Sequence, residues 1–431
     1  MHPELSNNEE QNTIDLRQKL VDYLKSQGNI RSSQVEAAFR AVPRHIFVPN
    51  TDIEQVYSDT YILTKLQDGI PVSSSSQPAV MAIMLEMLAI QPGQRILEIG
   101  AGTGYNAALL AYIVGKTGSV VTIDIDEDIV AAAHEHLVTA GFRQVQAICG
   151  DGGFGYPNGA PYDRVIVTAS TSDILLAWRE QLKSGGRLVL PFRFTGLTTH
   201  HWLFADQMLL AFEHAGDHLL CTDTYMGSFM PLRGTFAQQP ESQIQLAPDG
   251  SLTMATFSSV DADHIFAILK GPYQDEVLNI RMTHMELLGL RLWLAWRDSG
   301  YSELYGQGDA IGHDHIPLLI QTPGLTTRTM GLYEENTASL LIRQPEHDTF
   351  KDERDQTFAL AIRTFGTQQP LAERLVEHIA LWERAGRPFR WNPQGLIHGL
   401  QMRVYSPDTA YTPTSNEFVM DRPGSRLVFQ W

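Results

Sequence analysis

Three glycines at i, i+2 and i+4 stand in Gly100-Ala101-Gly102-Thr103-Gly104, directly after the apolar run Arg95–Ile99 and before the helical pattern Tyr105–Val114. Glycine lets a backbone turn tightly and approach a ligand closely, and the helix start behind it offers N–H groups. A dinucleotide loop would read GxGxxG, whose last gap makes room for a pyrophosphate. Here the spacing is GxGxG, and Glu98 stands ahead of it. A carboxylate there opposes a pyrophosphate and suits a cationic ligand such as a sulfonium amino acid. The next apolar run ends in Asp124, placed to accept both hydroxyls of a ribose, and the one after it ends in Gly150-Asp151-Gly152. There the acid can accept from an adenine amino group. Acids at successive strand ends favour one ligand site over a mere tight turn.

The elements that must position these residues alternate. Helices are predicted over Pro78–Ala89, Tyr105–Val114, Glu127–Ala140 and Ser172–Leu182, and strands over Arg95–Ile99, Ser119–Ile123, Val145–Cys149, Arg164–Thr168 and Arg187–Pro191. Short apolar strands separated by helices imply a parallel sheet covered on both faces, with ligands at its carboxyl edge. Ahead of it, Leu16, Leu20 and Leu24 mark a helix stopping at Gly28, and Ser32 or Ser33 can cap a second one through Arg40. Behind it, runs such as His201–Ala205, Met208–Glu213 and Leu219–Tyr225 read as antiparallel strands finishing the sheet. The expected division is a disordered tail over 1–13, a main domain over 14–235 with 14–77 as a lid or substrate element, a linker over 236–250, and a smaller α+β domain over 251–431. In that last part Thr283–Trp296 and Pro370–Ala385 read as helices, and Trp293, Trp296, Trp382 and Trp391 as core rather than as a peptide groove.

Composition limits the rest. The chain has 431 residues, 43% of them hydrophobic and 19% charged, which excludes collagen-like, coiled-coil and wholly disordered classes. Residues 1–234 carry 16 Lys+Arg against 25 Asp+Glu and the remainder 16 against 24, so neither part offers the clustered cations of a nucleic-acid surface. Only Cys149 and Cys221 are present, and no long apolar run or leader pattern appears, which points to a cytoplasmic protein without a membrane span. His134-Glu135-His136 and Gly312-His313-Asp314-His315 resemble metal ligands only superficially, and no metal is expected.

The glycine loop with its acids looks like the S-adenosylmethionine site of the Rossmann-like class I methyltransferases. Further motifs narrow the branch. Val42-Pro43-Arg44-His45-Ile46-Phe47-Val48-Pro49 resembles the VPRxxFVP segment of the protein-L-isoaspartate O-methyltransferase family, and Ser76-Gln77-Pro78 its Ser-Gln-Pro. Val165-Ile166-Val167-Thr168-Ala169, Leu182–Val189 and Phe229-Met230-Pro231-Leu232 follow in the family's order. The resemblance implies S-adenosyl-L-methionine as cofactor. It implies Glu98, Gly100, Gly102, Thr103, Gly104, Asp124, Asp151, Gly152 and Thr168 as its binding residues, and a peptide or protein bearing Asp or isoaspartate as substrate.

Two features depart from the pattern. The family usually has Thr-Ile-Ser-Gln-Pro where this chain has Ser74-Ser75-Ser76-Gln77-Pro78, and the repair enzymes end near the closing strand. Both features resemble a peptide-tailoring branch that methylates an Asp in a constrained, ribosomally made peptide, after which the ester closes to succinimide and isoaspartate. The alternative is repair of damaged proteins, and a non-catalytic cofactor-binding scaffold is the least favoured reading. Because a carboxylate acceptor is already ionised at neutral pH, the chemistry needs alignment and water exclusion rather than a general base. Alcohol donors can hold one carboxylate oxygen without neutralising the other. By its place in the family's Ser-Gln-Pro, the resemblance makes Ser76 the leading catalytic candidate, followed by Ser75 and Ser74, against the plainer reading that they cap a helix. Arg44 either meets a substrate carboxylate or pins the N-terminal segment.

Overall fold

A computed structural model describes residues 7–194, 207–237, 243–256, 260–306, 319–322, 326–344, 357–366, 370–388, 390–391, 397–398 and 401–431. The chain opens with helices α1 (Asn7–Ser26), α2 (Ser33–Ala41) and α3 (Ile53–Val56). Helix α1 takes in much of the stretch expected to be a disordered tail, and Thr13 within it is 5% exposed. Ser32 caps α2, accepting from Val35 N–H, and is itself held by the Glu86 carboxylate.

A hairpin absent from the expected elements follows: β1 (Ile62–Gln67) and β2 (Ile70–Ser75) pair antiparallel across Asp68-Gly69, both at positive φ. Such a pair is the strongest short-range hairpin signal. The serine run therefore belongs to a strand that feeds helix α4 (Pro78–Leu88).

The alternation then proceeds as β3 (Arg95–Ile99), α5 (Tyr105–Val114), β4 (Ser119–Asp124), α6 (Glu127–Thr139), β5 (Gln146–Cys149), β6 (Tyr162–Val167), α7 (Leu176–Glu180), β7 (Leu182–Arg193), β8 (Gln207–Ala215) and β9 (His218–Met226). Strands β5, β4, β3, β6 and β7 are parallel neighbours, and β8 and β9 turn back antiparallel. The order reverses between β3 and β6, the point where such sheets bind ligands. Two expected bounds shift. The helix expected over Ser172–Leu182 shrinks to α7, because Thr171 and Asp173 close a local turn and the Asp173 carboxylate accepts from Gly424 N–H and the Ser425 hydroxyl. Strand β7 begins at Leu182 instead. The run His201–Ala205 and the His313 and His315 pair lie outside the described residues.

The second part comprises β10 (Gln243–Gln245), β11 (Leu252–Thr256), α8 (Ala262–Leu269), β12 (Tyr273–Met282), α9 (His284–Arg297), β13 (Tyr301–Gly306), β14 (Ile320–Thr322), β15 (Thr326–Glu334), β16 (Thr337–Arg343), β17 (Phe358–Gly366) and α10 (Pro370–Arg384). Its strands form an antiparallel sheet in the order β10-β11-β13-β15-β16-β17-β12, with β14 on β15. After the short pair β18 (Arg390–Trp391) and β19 (Ile397–His398), the chain returns. Strands β20 (Gln401–Tyr405), β21 (Glu417–Asp421) and β22 (Arg426–Gln430) extend the first sheet, β20 pairing with β9.

The linear division at 236–250 is corrected accordingly. Strand β10 lies inside the expected linker, and the segment 251–431 is not one body, because its last strands complete the first sheet. The reason is apolar continuity. Trp296 of α9 stacks on Phe429 at 4.3 Å and lies 5.4 Å from Phe194 at the end of β7, so both parts share one core. Trp293 and Trp382 are buried as core residues.

Candidate active site

Local physics shapes the loop after β3. Gly100 has φ +98°, and a Cβ there would collide with the Thr168 hydroxyl, which donates to Ile99 O and Gly100 O at 3.0 and 2.9 Å. Only glycine serves at that position. Gly102 N–H donates to Asp124 Oδ2 at 3.1 Å, linking the loop to the end of β4. Gly104 caps α5 and packs on Ala133 of α6. The Thr103 carbonyl meets His136 Nδ1 at 3.0 Å.

A cleft of about 1200 Å3 opens at this edge. Its wall includes Gly100, Gly102, Thr103, Asp124, Gly152 and Thr168 together with Ser74, Ser75 and Ser76. The hairpin thus brings the serines onto the glycine loop: the Cβ position of Gly102 lies 3.4 Å from Ser74 O. Ser74 and Ser76 are half-buried, while Ser75 is 3% exposed and its hydroxyl accepts from Arg44.

Arg44 pins the segment. Fully buried, it donates to Val56 O and Ser76 O at 2.9 Å and more weakly to Ser58 O, Thr60 O and Ser75 O. His45 meets the Tyr57 hydroxyl at 2.8 Å.

Two of the three acids are placed differently from the sequence reading. Asp151 lies beside the cleft rather than in its wall, accepting from Gly153 N–H at 2.9 Å and Thr235 N–H at 2.7 Å. Glu98 is fully buried and bonded to the Thr122 hydroxyl at 2.6 Å and Asn106 Nδ2 at 2.7 Å, because strand alternation sets it under α5, behind Asn106 of the cleft wall. Burial pushes its carboxyl up to about 7, against the opposing pull of those bonds, and the nearby Asp124 charge adds to the rise.

Glu98 should therefore make stability depend on pH. In the unfolded chain it titrates near 4.5, so between that pH and about 7 the folded state holds a proton that the unfolded state has lost. Stability then falls as pH rises through this window, the cost being absent below it and complete above it. Replacing Glu98 with Gln should raise the unfolding free energy from urea denaturation, relative to the parent, more at pH 8 than at pH 5, by a difference of about 1–3 kcal/mol. An equal offset at both pH values would mean that Glu98 is ionised throughout.

Four cleft residues carried no local signal in the sequence. Asp59 accepts from Ala79 N–H at 2.8 Å and Gln77 Nε2 at 2.9 Å, satisfying the start of α4 from a distant segment. Asn106 lines the cleft, and its buried Oδ1 has no partner among the described residues. Arg233, after β9, and Leu288, on α9, also reach the wall.

The sheet order and the position of the cleft at its carboxyl edge define a Rossmann-like class I methyltransferase. Residues 15–232, about half the chain, match the family model of protein-L-isoaspartate(D-aspartate) O-methyltransferase (PCMT), and the chain belongs to that family. It is an S-adenosylmethionine-dependent carboxyl methyltransferase. A Methanopyrus kandleri protein-L-isoaspartate O-methyltransferase is 42% identical over 176 residues, 41% of this chain and 76% of that one. The Thermotoga maritima protein of the same name is 38% identical over 177 residues, 55% of its own length. A solved structure titled protein-L-isoaspartate O-methyltransferase covers 93% of this chain and 99% of its own at a TM-score of 0.50 and 22% identity, so the likeness in fold reaches past the family segment. Among the described residues, no helix is long and apolar enough to cross a membrane.

Proposed function

We propose that the chain methylates the free α-carboxylate of isoaspartyl residues, whose side-chain carboxyl is taken up in the peptide bond, in proteins or peptides. The observation that carries this reading is that the serine run and the glycine loop line one cleft, so close that a Cβ added at Gly102 would stand 3.4 Å from Ser74 O. The family membership and the shared name of the relatives support the acceptor.

The residues fit the cofactor. Gly100 and Gly102 present bare backbone to the cleft, Asp124 offers an acceptor for a ribose, and the unpartnered Asn106 Oδ1 offers one for an ammonium. When bound, S-adenosylmethionine supplies a methyl group activated by its sulfonium charge. Gly100, Gly102 and Thr103 form the bed for it, Thr168 fixes the loop, and Asp151 and Gly152 bound its adenine end. Glu98 acts indirectly, by orienting Asn106. The hydroxyls of Ser76 and Ser74 hold the acceptor carboxylate, while the nearly buried Ser75, whose hydroxyl accepts from Arg44, anchors the run. No residue takes a proton, because the acceptor arrives ionised. Alignment and exclusion of water are what the hairpin contributes.

Incubation with methyl-labelled cofactor and an isoaspartyl peptide should yield a base-labile ester, and the matching Asp peptide none. A second reading, an Asp in a constrained ribosomally made peptide, draws on the Ser74-Ser75 departure and on Leu288, which brings the second part to the cleft wall. Labelling of a cyclised Asp peptide in preference to the isoaspartyl one would select it. Replacing Ser76 with Ala should lower turnover by about 10–100-fold with cofactor affinity intact, the cost of a lost orienting donor. Unchanged turnover would remove Ser76 from the mechanism.

A further inference from the structure

Residues Arg233 to Phe236 follow directly on Leu232, the last residue matched to the family. Leu232 is itself fixed, its N–H donating to Ser170 O at 2.8 Å. Arg233 then grips both carboxylate oxygens of Asp126, at 3.1 and 2.9 Å, and comes within 3.9 Å of Asp124. Gly234 has φ +96°, and a Cβ there would stand 2.5 Å from Asp151 Oδ2. That same oxygen receives Thr235 N–H at 2.7 Å. Phe236 closes the stretch, its ring 5.1 Å from that of Phe154 in an edge contact. One short stretch thus touches the acids at the ends of both β4 and β5.

We propose that Arg233–Phe236 is a strap that positions the nucleoside-binding acids, with Arg233 holding the end of β4 through Asp126 and the Thr235 amide holding Asp151. The inference rests on the cofactor site proposed above. The physical need for it lies in charge. Asp124, Asp126 and Asp128 place like charges side by side, and Asp124 must keep its bond to Gly102 N–H for the loop to hold its shape. Arg233 and Lys65, which lies 3.0 Å from Asp126 and 2.7 Å from Asp128, offset that repulsion. Arg233 is a positioning residue: its guanidinium acts through the carboxylates it holds. The cofactor cleft of this chain is then completed by residues outside the family segment.

The test is calorimetry of S-adenosylhomocysteine binding to the full chain. Replacing Arg233 with Met should weaken binding about tenfold at low salt, and Arg233→Lys should recover part of the loss, since an ammonium restores the charge without the two-pronged grip. The parent should lose several-fold in affinity between about 50 and 500 mM salt, and Arg233→Met much less, because the screened pairs are already gone. Melting of the unliganded chain should move by no more than about 2 °C, as for a single partly buried ion pair in a long chain. Arg187→Met, which breaks the Arg187–Glu213 pair elsewhere, should leave binding unchanged. Parental affinity in Arg233→Met overturns the strap. Should Arg233→Met not fold, the salt slope of Arg233→Lys decides: a slope equal to the parent's with full affinity overturns it as well. A parent that binds no nucleoside would overturn the cofactor site itself, a different outcome.

Discussion

A chain cut after residue 240 is expected to be insoluble, with the soluble yield falling at least about tenfold, because it loses half of a shared core and uncovers a strand edge. The cut removes β20, which pairs Val404 with Leu219 and Arg403 with Leu220, and leaves β9 as a bare edge. It removes Trp296 and Phe429 from around Phe194, a side chain 1% exposed in the full chain. It also strips the Asp173 carboxylate of Gly424 N–H and Ser425, leaving the turn before α7 without its partners. Burying an aromatic side chain contributes about 1.5–3 kcal/mol, so the loss around Phe194 and its neighbours is comparable with the whole stability of a domain. Expression of the two chains side by side, with the soluble fraction and thermal melting as readouts, decides the matter. A truncated chain that melts cooperatively and binds S-adenosylhomocysteine like the parent would show that the two parts are independent.

That shared core also marks where the sequence ceased to be readable. The elements from α4 to β6 were legible because each is local: period-two apolar runs, helix-period runs and glycines between them. The closing strands were not. Nothing in Gln401–Tyr405 says that its partner lies in β9, some 180 residues earlier, rather than in the sheet built just before it. Amphipathic alternation fixes which face is buried and leaves the neighbour open. The site divides in the same way. Its glycines and Asp124 follow from the strand ends, whereas Asp59, Asn106 and Arg233 reach the cleft through tertiary contacts. Two misses were within reach. Asp68-Gly69 between Ile62–Gln67 and Ile70–Ser75 is a hairpin signal, obscured by the polar residues of β1. Alternation in β3 puts Glu98 on the face of Ile96 and opposite Leu97 and Ile99, hence under the helix that covers that face.

The largest single-residue effect should come from Arg44. Its guanidinium is fully buried, and among the described residues no carboxylate pairs with it. Its positive charge is balanced instead by the carbonyl oxygens of Val56, Ser58, Thr60, Ser75 and Ser76 and by the Tyr105 ring, 5.9 Å from its centre. Burial lowers its pKa from the usual arginine value, offset in part by Tyr105, Asp59 and Tyr57, but an arginine so placed stays charged. Those oxygens belong to α3, the turn after it and the end of β2, so one side chain sets where the serines stand relative to the rest of the N-terminal segment. Replacing Arg44 with Met keeps the volume but leaves buried carbonyls without donors, at a cost of about 3–5 kcal/mol. Methyl transfer should fall further than stability does, by at least about a hundredfold, because a displacement near 1 Å at an aligning group is enough for that. Arg44→Lys should fall between, since an ammonium has fewer donors and no planar fork to spread over these acceptors. Cofactor affinity should change least, because Arg44 touches the serines and not the glycine loop. Urea denaturation, calorimetry with S-adenosylhomocysteine and initial rates on an isoaspartyl peptide separate these effects. Parental rates in Arg44→Met would mean that the serine run holds its place without the arginine. A loss of cofactor affinity as large as the loss of rate would mean that the hairpin and the glycine loop move as one body.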